Sequence, residues 1–234
     1  IGYDNVFDYS LGNPSVPVPE EFTECMIEML KNSDPCSLHG YSPSLGIPSV
    51  RAAIAASLNE RFGMNYGPEH IFMASGAAGA LAHAYRAVTK PGDEILTFAP
   101  YFPEYNPYVN LTGAVLKVVP PDTESFQINF DAFEEMLGEK VMAVLINTPN
   151  NPSGIVYSEE TILRLADILR KKEQEYGHDI FIISDEPYRE IVFAGVKAPY
   201  VSRYYANTIS CYSYSKSLSC LLYTSDAADD LTRV

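Results

Sequence analysis

Short apolar runs of strand length recur along this chain, at Ile71 to Ala74, Glu94 to Phe98, Val115 to Val119, Val141 to Asn147, Ile180 to Asp185 and Thr208 to Ser213, with helical stretches between several of them. The clearest helix is SEETILRLADILRKKEQ, where Ile162, Leu165, Ala166 and Leu169 fall on one face. Upstream, NPSVPVPEEFTECMIEMLKN opens with prolines and glutamates as a helix start does. GIPSVRAAIAASLNERFG puts Val50, Ile54 and Leu58 on one side and offers Gly63 as a stop. Strands that alternate with helices and read as continuous apolar runs predict an α/β fold: a mostly parallel central sheet with helices on both faces.

That architecture says where to look for function, because ligands on open α/β sheets gather at the carboxyl ends of the strands. The chemically unusual clusters lie there. NTPNNPSG follows one run, SDEPY closes another, and SYSK closes a third.

Composition narrows the partners. A formal charge of -14, from 30 acidic against 16 basic residues, repels nucleic acid and anionic membrane surfaces, so a phosphate site has to be built from backbone N–H groups and a few cations. No run approaches the roughly 20 apolar residues of a membrane helix, and IGYDNVFDYSLGNPS lacks the pattern of a secretory signal, so the expected location is the cytoplasm. Cys25, Cys36, Cys211 and Cys220 form no CxxC pair, and the histidines are scattered; reduced structural thiols and no metal site are expected.

Asp185 ends an apolar strand, where a carboxylate is costly unless a cation or donor meets it. Lys216, among serines at another strand end, has few local carboxylates, and desolvation shifts an ammonium toward the neutral, nucleophilic amine. An aromatic aldehyde cofactor with a ring nitrogen satisfies both: the lysine forms a Schiff base and the aspartate holds the protonated nitrogen. ASGAAGALAHAYRAV is a small-residue turn entering a helix, so the N–H groups at Ala77 and Ala78 can point at a phosphate, and Ser213 can add a hydroxyl. Asn151 and Tyr188 can each hydrogen-bond a phenolic oxygen, and Phe102 can cover a ring face. Each residue alone has an ordinary explanation as a turn, cap, core or surface position. The set, in this order, does not.

With NNPSG, SDEPY and SYSKSLS in succession, the chain resembles the pyridoxal-phosphate-dependent aminotransferases of fold type I, class I/II, from about SLGNPS through Ser219. The resemblance implies that Lys216 holds the cofactor covalently and shuttles a proton at Cα. Asp185 pairs with the pyridine nitrogen, Asn151 and Tyr188 bind the 3′ oxygen, and Phe102 stacks on the ring. Ala77, Ala78 and Ser213 cradle the phosphate. It further implies that Gly12 lies near the substrate carboxylate and that Tyr41 reaches the phosphate of a neighbouring subunit, hence a homodimer. The expected reaction exchanges an amino group between an amino acid and a 2-oxo acid by a ping-pong route.

The family pattern continues after SKSLS with a proline, a glycine and a phosphate-gripping arginine, whereas CLLYTSDAADD follows here, with no arginine until Arg233. The small C-terminal domain and its carboxylate-clamping arginine are also missing. The tail resembles the translation of a sequencing-library adapter joined to a gene fragment. The expected organisation is an N-terminal arm or small-domain fragment over 1–18, a cofactor-binding large domain over 19–219 and a non-native tail over 220–234, in an inactive fragment. Alternatives are a lyase or decarboxylase of the same fold, a non-catalytic cofactor-binding regulator module, and a nucleotide-binding α/β domain. The last is disfavoured because GxxxxGK and GxGxxG are absent.

Overall fold

A computed structural model describes residues 17–193 and 195–218. The chain enters through α1 (Glu20–Asn32), α2 (Pro35–His39) and α3 (Pro48–Phe62), and then α4 (Gly76–Val88) leads into the sheet. From there strands and helices follow one another: β1 (Glu94–Phe98), α5 (Tyr105–Asn110), β2 (Val115–Val119), α6 (Phe130–Met136), β3 (Val141–Asn147), α7 (Glu159–Tyr176), β4 (Phe181–Asp185), β5 (Thr208–Cys211) and α8 (Tyr214–Ser217).

Local chemistry explains the boundaries. α1 starts after Pro19 with Glu20 and Glu21 in its first turn and ends with Lys31 in its last, matching the helix dipole at both ends. In α7, the Ser158 hydroxyl accepts the Thr161 N–H at 3.0 Å, capping the first turn. Gly63 ends α3 in the left-handed region at φ 66°, with its N–H bonded to the Asn59 carbonyl, a conformation that strains residues carrying a Cβ.

All strand pairs are parallel, in the order β2-β1-β3-β4-β5. The chain turns back between β1 and β3, and the rule for such sheets sets the ligand crevice outside the carboxyl ends at that reversal. Side chains alternate between the two faces. Leu96, Phe98, Val144, Ile146 and Ile182 pack with Phe133 of α6 and with Ile162, Leu165, Ala166 and Leu169 of α7. Ile95, Ala143, Leu145 and Ile183 pack on the other face with Leu81 and Tyr85 of α4 and Tyr105 and Val109 of α5. The expected α/β architecture is therefore present, and the apolar stripe read on α7 is fully buried.

One expected strand is absent. Residues Ile71 to Ala74 do not pair with the sheet. Their hydrogen-bonding groups are taken elsewhere: the Ile71 N–H donates to Pro68 and the Met73 N–H to Leu45, while the Ile71 carbonyl accepts from the Arg51 guanidinium at 2.8 Å. On α3, Val50 stays exposed and only Ala55 is buried, so the face read there is weaker than the pattern suggests.

Leu165 and Leu163 of α7 separate burial from helix propensity, the first fully buried and the second exposed. Leu165→Ala is expected to cost about 2–5 kcal/mol and Leu163→Ala less than about 0.5 kcal/mol, read from urea unfolding midpoints. Equal costs would contradict the packing described.

Candidate active site

Asp185 is the last residue of β4, 5% exposed, and points into the face occupied by α4 and α5. Its Oδ2 accepts a 2.5 Å hydrogen bond from the Tyr105 hydroxyl and a longer one, 3.4 Å, from the Asn147 side-chain amide. Its Oδ1 is buried with no hydrogen-bond partner among the described residues. Burial pushes the carboxyl up to about pKa 7; the Tyr105 hydrogen bond opposes the shift and the neighbouring Glu186 charge adds to it. A carboxylate satisfied on one oxygen and bare on the other is matched to an incoming cationic donor.

Asn147 ends β3 and works in two directions. Its amide donates to the Asp185 carbonyl at 2.9 Å, and its Oδ1 accepts the Asn151 N–H at 2.6 Å, so the NNPSG turn is tied to the strand end that bears Asp185. Asn150 stiffens the same turn, accepting from the N–H and hydroxyl of Ser153 and donating to the Pro100 carbonyl at 3.3 Å, which joins the loops after β1 and β3 across the chain reversal. In the turn after β4, burial raises the pKa of Tyr188, the charge of Asp185 adds to it, and a hydrogen bond with the Asn151 side chain pulls the other way. Asp185, Tyr188 and Asn151 are thus neighbours.

Phe102, in the loop after β1, is half-buried and packs edge-on to Tyr105, with ring centroids 5.6 Å apart. Ala77 and Ala78 lie in the first turn of α4, whose first backbone bond of this turn runs from the Gly79 N–H to the Ser75 carbonyl, ahead of which helix geometry leaves N–H groups without an intrahelical acceptor. α4 packs against β4 and β5. Ser213 is buried just before α8; its hydroxyl caps that turn, accepting the Ser215 N–H at 3.1 Å and donating to the Ser215 hydroxyl. Lys216 lies in α8, and partial burial lowers its pKa, which enlarges the neutral amine fraction.

Tyr41 is not part of this cluster within one chain. It stands fully exposed in the loop between α2 and α3. Gly12 and the tail over 220–234 lie outside the described residues. Sequence reasoning missed Tyr105 and Asn147. A signal for Asn147 was present, since a polar residue closing a seven-residue apolar strand needs partners; Tyr105 carried none, because a buried tyrosine in an aromatic run reads as core. The described cysteines, Cys25, Cys36 and Cys211, are all free.

The family profile described as aminotransferase class I and II matches residues 4–221. The chain belongs to the class I and II aminotransferases. Among solved structures of such enzymes, an amino transferase from Eubacterium rectale superposes with a TM-score of 0.91 at 52% identity, over 93% of this chain and 55% of that one. An aromatic aminotransferase from Pyrococcus horikoshii superposes at 0.84 with 26% identity, over 96% and 58%. An aspartate aminotransferase from Thermotoga maritima is 32% identical over 191 residues, 81% of this chain and 48% of its own length. The chain therefore spans about half the length of the curated aminotransferases it matches. Among the described residues, no helix is long and apolar enough to cross a membrane.

The Asp185 environment gives a signed prediction for stability. The carboxyl titrates near its ordinary value of 3.8 when unfolded and near 7 when folded, so the folded state binds the proton more tightly. Stability from this group is fully present below the unfolded pKa and is lost as pH rises through the folded one. The stability of Asp185→Asn relative to the unaltered protein, both free of cofactor, is expected to rise between acid and neutral pH, by at most about 4 kcal/mol, then level off. A flat difference in denaturant unfolding across that range would contradict the assignment.

Proposed function

We propose that this protein exchanges amino groups between amino acids and 2-oxo acids in two half-reactions at one site, with pyridoxal 5′-phosphate as the carrier. The observation that carries this reading is the bare Oδ1 of buried Asp185. A pyridine nitrogen bearing a proton is a donor of matching charge, and pairing with it returns the carboxyl to its ionised form. The residues around Asp185 fit the rest of the cofactor.

When bound, the cofactor supplies an electron sink conjugated to the substrate Cα. Asp185 would accept the ring N–H through Oδ1 and hold that proton in place, while Tyr105 and Asn147 fix the plane of the carboxylate. Tyr188 and Asn151 would hydrogen-bond the phenolic oxygen, and Phe102 would cover a ring face and keep water from it. The start of α4 at Ala77 and Ala78, with Ser213, would hold the phosphate through N–H and hydroxyl donors. Lys216 would bind the cofactor covalently through Nζ and, once displaced by substrate, move a proton from and to Cα; its lowered pKa favours that base role.

The same reading extends to the wider chain. Residues 19–219 act as the cofactor-binding unit. The full exposure of Tyr41 supports a contact with the phosphate of a second copy in a homodimer.

Mixed with pyridoxal 5′-phosphate, the protein is expected to develop a visible absorbance band that borohydride abolishes, leaving a reduced adduct on Lys216 that peptide mass spectrometry locates. Lys216→Ala should give neither. A band unaffected by that substitution, or an adduct on another lysine, would contradict the proposal.

A further inference from the structure

Beside the site, a buried ion pair joins elements that the cofactor residues depend on. Arg189, in the turn after β4, donates from Nη1 to Glu186 Oε2 at 2.8 Å; its side chain is 7% exposed and that of Glu186 1%. The other oxygen of Glu186 accepts the Ser210 hydroxyl of β5 at 3.1 Å, and the Glu186 N–H donates to the Cys211 carbonyl at 2.8 Å. Glu190 receives Arg189 Nε at 3.3 Å and Arg61 of α3 at 2.6 Å, anchoring the pair to a third element.

The guanidinium is also enclosed by rings. Its carbon lies 4.4 Å from the ring centre of Tyr212, 5.2 Å from Phe62 and 5.4 Å from Tyr200, and Phe62 and Tyr200 are themselves stacked at 4.5 Å. Tyr212 connects this assembly to α8. Its hydroxyl is 2.9 Å from the hydroxyl of Ser217, the residue after Lys216, and its ring meets Tyr214 edge-on at 5.2 Å.

We infer that Arg189 is a positioning residue: pinned to Glu186 and laid against Tyr212, its guanidinium clamps the turn that carries Lys216 to the strand end that carries Asp185. A buried ion pair gives little net stability over apolar residues of the same size, because desolvation offsets the attraction. Its value here is geometric. A planar fork bonds the carboxylates in one direction and stacks on the rings in another, which a lysine ammonium cannot do. Arg189 acts through Tyr212 and Ser217 on the backbone that presents Lys216. The catalytic meaning of that placement rests on the cofactor role proposed for Lys216; the clamp itself does not.

Two variants cut the clamp at different points. Arg189→Lys keeps a charge for Glu186 and loses the planar stack, and Tyr212→Phe keeps the ring and loses the link to Ser217. In cofactor-free protein, reductive methylation followed by mass spectrometry compares Lys216 with the exposed Lys171 on α7. Both variants are expected to label Lys216 roughly three- to tenfold faster, as loss of one such contact allows local opening, with Lys171 and the melting temperature little changed. With pyridoxal 5′-phosphate added, both should also alter the visible circular dichroism of the bound cofactor. Unchanged Lys216 labelling in both variants, or faster labelling of Lys216 and Lys171 together, overturns the inference. If Arg189→Lys does not fold, Tyr212→Phe decides by the same criteria. Absence of a cofactor band in the unaltered protein would remove the cofactor reading and leave the labelling result to stand alone.

Discussion

Everything at this site depends on a carboxylate that the fold buries and only half satisfies. Asp185 receives Tyr105 and Asn147 on Oδ2, and its Oδ1 faces the same interior without a partner among the described residues. Burying a charge is tolerated when something arrives to meet it. The sheet makes the burial unavoidable, because Asp185 continues a strand of apolar residues and pairs in register with Asn147 and Cys211 on either side. A cation donor at Oδ1 would offset that cost, which would link the cofactor binding proposed above to the stability of the fold.

The surrounding parts answer to that carboxylate. Asn147 relays its position to the NNPSG turn, Tyr105 connects it to the aromatic loop after β1, and Glu186 begins the ion pair that reaches the Lys216 turn. The loops after β1, β3, β4 and β5 are therefore joined to one another by side-chain contacts. For a site proposed to hold an amine, a ring and a phosphate in fixed relation, such preorganisation would matter more than any single hydrogen bond.

Much of this was legible in the sequence. The strands Glu94 to Phe98, Val115 to Val119 and Val141 to Asn147 have the limits read from their apolar runs; for the first and third this follows because a strand covered on both faces must be largely apolar. Ile71 to Ala74 has the same look and is not a strand: pattern reports burial preference, whereas pairing needs free N–H and carbonyl groups, and these are taken by Pro68, Leu45 and Arg51. Helices α5 and α6, with six and seven residues, are too short for a 3.6-residue period to stand out. Asp185 and Lys216 could be singled out because their charge conflicts with their surroundings. Tyr105 and Asn147 could not be assigned a role, since the partner that explains them lies 80 and 38 residues away.

The central claim is that Oδ1 of Asp185 holds a proton on the cofactor ring. The direct measurement is the 15N chemical shift of the ring nitrogen of labelled pyridoxal 5′-phosphate bound to the protein at about pH 8, above the Asp185 pKa. The account predicts a protonated ring nitrogen in the unaltered protein and an unprotonated one in Asp185→Asn. An unprotonated nitrogen in the unaltered protein, or a protonated one that persists after the substitution, would contradict it.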